Sequence, residues 1–165
     1  MKTLKIFVAV LALSISVAHA QFTKAELQVS GLTCSMCSKA TEKSLRTLDF
    51  ISDIKADLNR NVFVITFKKD APVNLDQISK KVQNAGFSVS NLKATFNFAN
   101  VEVDNNWFSY LGDNYYVVSP LNKALNGLVA VTVVDKGFAP ASVYKKYSSV
   151  VADDSKPGRL YRIVI

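Results

Sequence analysis

The sequence predicts an α+β fold with two parts: a βαββαβ unit over residues 21–95 and a small β-rich α+β module over residues 96–165. In the first part, stretches that alternate apolar and polar residues are separated by stretches with helical periodicity. Both cysteines precede residue 40, whereas all six tyrosines and the single Trp107 follow residue 100. No Pro- or Gly-rich linker marks the boundary near residue 95. The two parts can therefore pack together, or the last strand of the first can continue into the second.

Residues 1–20 have the layout of a secretory signal peptide. Lys2 and Lys5 precede a mostly apolar run, Ile6–Val17, and Ala18–Ala20 supplies small residues for cleavage. The apolar run is too short for a membrane span, and no later segment is apolar enough to be one. We therefore expect an exported, periplasmic or extracellular chain, Gln21–Ile165, without a membrane span. An uncleaved N-terminal anchor is the alternative.

The charge and composition of the expected mature chain exclude several classes of function. The formal charge of +7 falls to +5 without Lys2 and Lys5, and the basic residues form no dense cluster. This pattern speaks against a nucleic-acid partner. The only histidine, His19, lies in the predicted signal peptide. Histidine-based catalytic triads and histidine metal sites are therefore excluded for Gln21–Ile165.

The first strand and first helix surround the cysteines. "AELQVS" (Ala25–Ser30) alternates as a half-buried strand does. After the cysteine loop, one helical stripe holds the residues predicted to be buried, and another holds basic residues predicted to face solvent. The buried stripe comprises Thr41, Leu45 and Leu48, and the basic stripe comprises Lys39, Lys43 and Arg46.

The rest of the first part predicts a hairpin, a helix and a final strand. "ISDIKADL" and "VFVITF" flank a turn at Asn59–Asn61, which is typical of a β-hairpin. Asn74 is a suitable N-cap for a second helix, which ends at Gly86. "FSVSNLKATF" supplies the fourth strand. The resulting βαββαβ order is that of a ferredoxin-like sandwich, an antiparallel sheet with two helices on one face.

The C-terminal part contains no recognisable catalytic or ligand-binding motif. "TFNFANVEV", "YYVV", "LVAVTVV" and "RLYRIVI" predict strands. "PASVYKKYSSVV" predicts a helix with Pro140 at its first position, or else another strand, and the helix would carry Val143, Tyr144, Tyr147 and Val151 on one side. An aromatic cluster surrounds Leu111–Asn114. It forms core if it is buried, or a patch for a partner or ligand if it is exposed. Its members are Trp107, Phe108, Tyr110, Tyr115 and Tyr116.

The two cysteines lie two residues apart in "GLTCSMCSKA" (Gly31–Ala40). We expect Cys34 in the loop after the first strand and Cys37 near the first helical turn, where the helix dipole favours a Cys37 thiolate. Two thiolates without histidine suit a soft, low-coordinate ion, best Cu(I), with Hg(II) and Ag(I) similar. Zn(II) prefers four ligands and would have to bridge two molecules. A redox pair and a disulfide staple worth about 2 kcal/mol remain open alternatives.

The wider context resembles the heavy-metal-associated domain family, which includes copper chaperones, N-terminal domains of copper-transporting ATPases and periplasmic mercury-binding proteins. The resemblance covers about residues 24–95. The family's Gly-Met-Thr-Cys-x-x-Cys element is matched at Gly31, Thr33, Cys34 and Cys37, and its closing Ala-Gly-aromatic element at Ala85–Gly86–Phe87. The chain departs from the family at Leu32, where methionine is usual, at Thr41, where a branched aliphatic is usual, and at "LDFISDI", which replaces a Pro-Gly turn.

The resemblance implies a metal carrier rather than an enzyme. Cys34 and Cys37 would hold the ion and pass it by ligand exchange to or from a partner protein that also offers thiolates. Lys39, Lys43 and Arg46, joined by Lys80 and Lys81, would steer an acidic partner or simply form a solvated surface.

Other residues near the cysteines have smaller expected roles. We expect Met36 to be exposed without binding metal, the Thr33 hydroxyl to tie down the loop, and Phe87 to pack near the cysteines. The apo protein is expected to be a monomer. In an oxidising compartment the cysteine pair must be kept reduced in order to bind metal.

Two rival functions follow from the same sequence. The first is a periplasmic thiol–disulfide oxidoreductase that uses Cys34 and Cys37. The second is a protein- or surface-binding adaptor that acts through the tyrosine-rich C-terminal part.

Overall fold

The computed structural model describes residues 21–121, 124–150 and 157–165. The predicted signal peptide lies outside the described residues. The chain forms eight strands and three helices within the described part. The strands are β1 (Gln21–Ser30), β2 (Ile51–Asp57), β3 (Val62–Phe67), β4 (Ser88–Asn97), β5 (Trp107–Tyr110), β6 (Asp113–Val117), β7 (Leu128–Val133) and β8 (Leu160–Val164). The helices are α1 (Ser35–Leu45), α2 (Leu75–Asn84) and α3 (Ala141–Ser148).

The first six elements confirm the predicted βαββαβ order. β1 lies between β3 and β4, and β2 pairs with β3 as the predicted hairpin, all antiparallel. Asn74 caps α2 as predicted, because its side chain accepts a hydrogen bond from the Gln77 backbone N–H at 3.0 Å. The chain leaves α2 at Gly86 with φ +88°, a conformation that favours glycine.

A single eight-stranded sheet spans both parts of the chain, in the order β2-β3-β1-β4-β7-β8-β6-β5. β7 pairs antiparallel with β4 from Leu92↔Val133 to Asn97↔Leu128. A separate C-terminal module is therefore not confirmed, since the C-terminal strands extend the sheet of the first unit. The division at residue 95 stays a prediction.

The predicted C-terminal strands are confirmed in three of four places. "YYVV", "LVAVTVV" and "RLYRIVI" contribute to β6, β7 and β8. The prediction for "TFNFANVEV" is wrong beyond Asn97, where β4 ends. There the Asn97 side chain accepts the Ala99 N–H at 3.0 Å, and Asn100 has φ +62°, so the chain turns away from the sheet. The turn replaces the ladder bonds that a longer strand would make.

Helix α3 is confirmed against the alternative of another strand, but it starts one residue later than predicted. Pro140 is its N-cap rather than its first helical residue. None of the residues of α3 is buried, so the expected inward stripe of Val143, Tyr144 and Tyr147 is only half-buried. Val151, the fourth member of that stripe, lies outside the described residues. No helix within the described ranges is long and apolar enough to cross a membrane.

Strand β5, which the sequence did not predict, lies inside the aromatic cluster. A tight turn at Leu111–Gly112, both with positive φ, joins β5 to β6. Strand alternation then divides the cluster between the two faces of the sheet. Phe108, Tyr110 and Tyr115 are buried, whereas Trp107 and Tyr116 are half-buried and pack together with ring centroids 4.9 Å apart.

Aromatic contacts join the two parts of the chain into one core. Phe22 of β1 meets Tyr110 of β5 with ring centroids 5.4 Å apart, and Phe96 of β4 meets Phe108 at 5.2 Å. Tyr115 stacks on Tyr161 of β8 at 5.0 Å. Burial raises the pKa of the Tyr115 and Tyr161 hydroxyls well above the ordinary tyrosine value, because ionisation would place a charge in this apolar interior.

Polar contacts also fasten the C-terminal strands to α2. The Ser79 hydroxyl donates to the Gly137 carbonyl at 2.8 Å, and Arg159 forms an ion pair with Asp76 at 3.2 Å. Asp135, only 2% exposed, accepts the Arg162 backbone N–H at 2.9 Å and pairs with the Arg162 guanidinium at 3.2 Å. Ser79 and Asp76 therefore tie α2 to the second half of the chain.

Candidate metal centre

Cys34 begins the helix that carries Cys37. Cys34 has extended φ and ψ of −147° and 157° and is the N-cap of α1. Its Sγ accepts a hydrogen bond from the Cys37 backbone N–H at 3.2 Å, and its carbonyl accepts the Ser38 N–H at 3.2 Å. The first turn of α1 therefore brings the two cysteines together, with Cys34 in the place that serine or aspartate often takes.

The pKa shifts of the two thiols run in opposite directions. The pKa of Cys34 is lowered, because the Cys37 thiol and the backbone N–H groups of Cys37 and Met36 stabilise its thiolate. The pKa of Cys37 is raised, first by its hydrogen bond to Cys34 and then by desolvation and repulsion from the Cys34 charge. The prediction that Cys37 ionises more easily is therefore wrong. The helix N-terminus stabilises the capping thiolate, and that residue is Cys34.

Both cysteines are free thiols, and they differ in exposure. Cys34 is exposed and Cys37 is partly covered. Met36, between them, is 78% exposed, as the sequence predicts. A ligand can therefore reach the pair from solvent without any rearrangement of the core.

The loop before Cys34 packs against Phe87, which follows α2. Gly31 has φ +91°, and a Cβ built there would lie 3.4 Å from Cδ1 of the Phe87 ring. Leu32 and Phe87 are partly buried and pack against the core. Phe87 therefore lies against the cysteine loop, as predicted, and Leu32 fills the place of the family's methionine with a side chain of similar volume.

Thr41 shows how the chain accommodates a polar residue under α1. It is fully buried, and its hydroxyl donates to the Cys37 carbonyl at 3.1 Å. The hydrogen bond offsets the cost of burying the hydroxyl. The sequence pattern alone, in which Thr41 replaces an aliphatic residue, did not predict this contact with the cysteine turn. The proposed role of the Thr33 hydroxyl stays a prediction.

The donor set of the site is two sulfurs. The chain has two cysteines in all, and no group of three or more histidine, cysteine, aspartate or glutamate side chains is placed to hold a metal within the described ranges. Two thiolates on one turn, open to solvent, fit a soft ion of low coordination number. They do not satisfy the four-ligand preference of Zn(II) within one molecule.

The basic residues that the sequence predicts to steer a partner differ in their contacts. Lys39, Lys43 and Lys80 are exposed, and Lys81 is half-buried. Arg46, by contrast, pairs with Glu42 at 2.7 Å and donates to the Ile54 carbonyl at 2.8 Å. Within the described residues, lysines therefore supply the positive charge on α1 and α2 that is not engaged in an ion pair.

Comparison with known proteins gives the family. The heavy-metal-associated domain model matches residues 26–88. The copper chaperone CopZ of Bacillus subtilis is 31% identical over 64 residues, which is 39% of this chain and 91% of that protein. A copper-transporting ATPase of Helicobacter felis is 30% identical over 66 residues, and the match spans only 9% of the ATPase.

Solved structures match the same part of the chain. A CopZ metallochaperone structure is 22% identical with a TM-score of 0.38, and covers 41% of this chain and 98% of its own. Apo-CopP from Helicobacter pylori is 32% identical with a TM-score of 0.35, and covers 40% of this chain and 97% of its own. The match to CopZ of Bacillus subtilis covers nearly the whole of that protein at 31% identity. This chain therefore belongs to the heavy-metal-associated domain family.

Proposed function

We propose that this protein carries Cu(I), binding the ion between the Cys34 and Cys37 sulfurs and passing it to or from a partner by thiolate exchange. The observation that carries the proposal is the pairing of the chain's two cysteines on one solvent-open helical turn, with the pKa of Cys34 lowered. The copper chaperone and copper-transporting ATPase to which the chain is similar support Cu(I) over Hg(II), Ag(I) and Zn(II).

The two cysteines have different parts in the proposed capture step. Cys34 supplies a thiolate first, since the amide of Cys37 already donates to its sulfur. Cys37 then loses its proton as the ion arrives, because a bound cation replaces the repulsion between two negative sulfurs with attraction to both. Each thiol that is protonated before capture releases its proton, and no electron moves.

Release follows the same chemistry in reverse order. A thiolate of the partner attacks the two-coordinate ion, a three-coordinate intermediate forms, and one of the protein's sulfurs leaves and is reprotonated. A second partner thiolate then displaces the other sulfur in the same way, so that the ion ends on two partner sulfurs. The exposure of Cys34 gives the incoming thiolate access to the ion. Because the ion enters and leaves unchanged, the protein acts as a carrier and not as an enzyme.

The proposed partner is an acidic protein with cysteine ligands of its own. Lys39 and Lys43 are exposed on α1, on the same helix as Cys37, and Lys80 is exposed on α2. Opposite charge on a partner would raise the rate of encounter, and salt would lower it. Export to the periplasm or the extracellular space is also part of the proposal, and it rests on the charge and apolar pattern of residues 1–20.

The test is an anaerobic titration of reduced Gln21–Ile165 with Cu(I) against a chromophoric Cu(I) chelator. We expect one tightly held equivalent, and its loss in the Cys34→Ser, Cys37→Ser double variant. Met36→Ala is the matched control, because it removes an exposed sulfur from the same loop. It should bind as the unmodified protein does. Failure to compete with the chelator would refute the proposal, and disulfide reductase activity would then identify a redox pair.

A further inference from the structure

At the centre of the β2 edge, the outward hydrogen-bonding groups of Ile54 are occupied by side chains. β2 is the last strand on its side of the sheet, and β3 pairs with only one of its edges. The Ile54 carbonyl accepts a hydrogen bond from Arg46 Nη2 at 2.8 Å, and the Ile54 N–H donates to Asp53 Oδ1 at 2.8 Å. Both backbone groups at the middle of the free edge are therefore satisfied within the chain.

Arg46 is held in this position by two carboxylates. Its guanidinium pairs with Glu42 at 2.7 Å and lies 3.7 Å from Asp53 Oδ1. Arg46 is also the C-cap of α1, so the end of the helix fixes where its side chain starts. Arg46 and Asp53 thus cover the centre of the β2 edge. We call this pair of residues the edge clamp.

The opposite edge of the sheet is closed in a similar way. At β5, the Trp107 N–H donates to the Asp104 carbonyl at 2.7 Å, and the Trp107 carbonyl accepts the Asp104 N–H at 2.9 Å. The chain itself therefore turns back over the start of that edge strand. Open edges pair with strands of other molecules, and proteins commonly block them with charged side chains or local turns.

From these contacts we propose that the edge clamp of Arg46 and Asp53 keeps the β2 edge from pairing with the β2 edge of a second copy of this chain. The sequence of β2 favours a second copy as the occupant. An antiparallel pairing centred on Ile54 places Asp53 of one copy opposite Lys55 of the other, twice, and opposite charges stabilise such cross-strand pairs. The edge would therefore pair with itself if the clamp were removed.

The test is the mass of the protein in solution as a function of concentration, by sedimentation or light scattering. The unmodified chain should remain a monomer. Arg46→Ala frees the Ile54 carbonyl and leaves the Asp53–Lys55 complementarity intact, so it should show a concentration-dependent dimer. Lys43→Ala is the matched control. It removes an exposed positive charge from the same helix but leaves Arg46 and both of its carboxylate partners in place, so it should remain a monomer.

A second substitution identifies the surface. Ala56 is exposed and lies two residues from Ile54, so its N–H points to the same free edge. Proline there removes an outward N–H without touching the ladder with β3, so Arg46→Ala combined with Ala56→Pro should return to a monomer. If Arg46→Ala fails to fold by circular dichroism, Arg46→Met replaces it, because methionine keeps a long unbranched side chain but cannot donate to the Ile54 carbonyl.

Three outcomes would overturn the proposal. One is a clamp variant that folds and stays monomeric at every concentration. Another is a dimer of Arg46→Ala that persists with Ala56→Pro, because the contact would then lie elsewhere. The third is an unmodified protein that already dimerises and that Ala56→Pro makes monomeric, since the clamp would then not close the edge.

Discussion

Asp135 provides the sharpest test of how the two halves of the chain are held together. Its carboxylate is 2% exposed and bonds the backbone and guanidinium of Arg162, and Arg159 Nη1 lies 3.7 Å away. Asp135→Ala leaves the Arg162 guanidinium, whose side chain is 15% exposed, without a carboxylate. The substitution should therefore destabilise the fold far more than removal of a surface ion pair.

The size of the effect follows from the burial of the partners. Removing one member of a buried ion pair costs about 3–5 kcal/mol. The lower end applies here, because Arg159 is 38% exposed and keeps Asp76 as a second partner. We expect a loss of about 3 kcal/mol in the free energy of unfolding, which lowers Tm by roughly 10 °C for a chain of this length.

Urea unfolding followed by circular dichroism measures this loss. Asp57→Ala is the matched control, since Asp57 pairs with Arg60 at 2.7 Å on the exposed β2–β3 turn and should matter little. If the unfolding curves of Asp135→Ala and Asp57→Ala coincide, the reasoning about the buried pair is refuted. A transition in two steps for Asp135→Ala would also count against a single cooperative sheet.

Three further predictions concern the metal centre and its support. At neutral pH, iodoacetamide should modify Cys34 before Cys37, because the Cys34 pKa is lowered and the Cys37 pKa is raised. Peptide mapping after a short exposure measures the order, and equal modification of the two thiols would contradict the assignment. Gly31→Ala places a Cβ on a residue with φ +91°, 3.4 Å from Phe87. The substitution should cost about 1 kcal/mol of stability and weaken Cu(I) binding in the chelator titration. Unchanged stability and affinity would contradict the need for glycine in this loop. Asn74→Ala removes the cap of α2 and should cost about 1 kcal/mol in urea unfolding while Cu(I) affinity stays the same; a loss of affinity would contradict the separation of this cap from the site.

The local elements of the first unit could be predicted because short-range patterns determine them. The alternation of β1, the burial of Thr41 and Leu45 on α1, and the Asn74 cap each depend on residues within a few positions, and the structure places them as expected. Leu48 is buried as predicted but lies beyond the end of α1 at Leu45. The cysteine pair could also be located, since two cysteines with two residues between them at a helix start lie on the same turn. Which of the two has the lower pKa could not, because it depends on the hydrogen bonds that the Cys37 thiol and the Cys37 backbone N–H make to the Cys34 sulfur.

The role of the C-terminal half was decided only by tertiary structure. Its strands were readable one by one, but nothing in the sequence indicated that β7 adds to β4 or that Asp135 lies between Arg159 and Arg162. Strand pairing joins residues far apart in the chain, and its register depends on the whole buried face. The sequence by itself therefore determined the fold of the first unit and the donor atoms of the proposed metal site. The continuous sheet, the shared aromatic core and the closed sheet edges follow from long-range packing that no local pattern encodes.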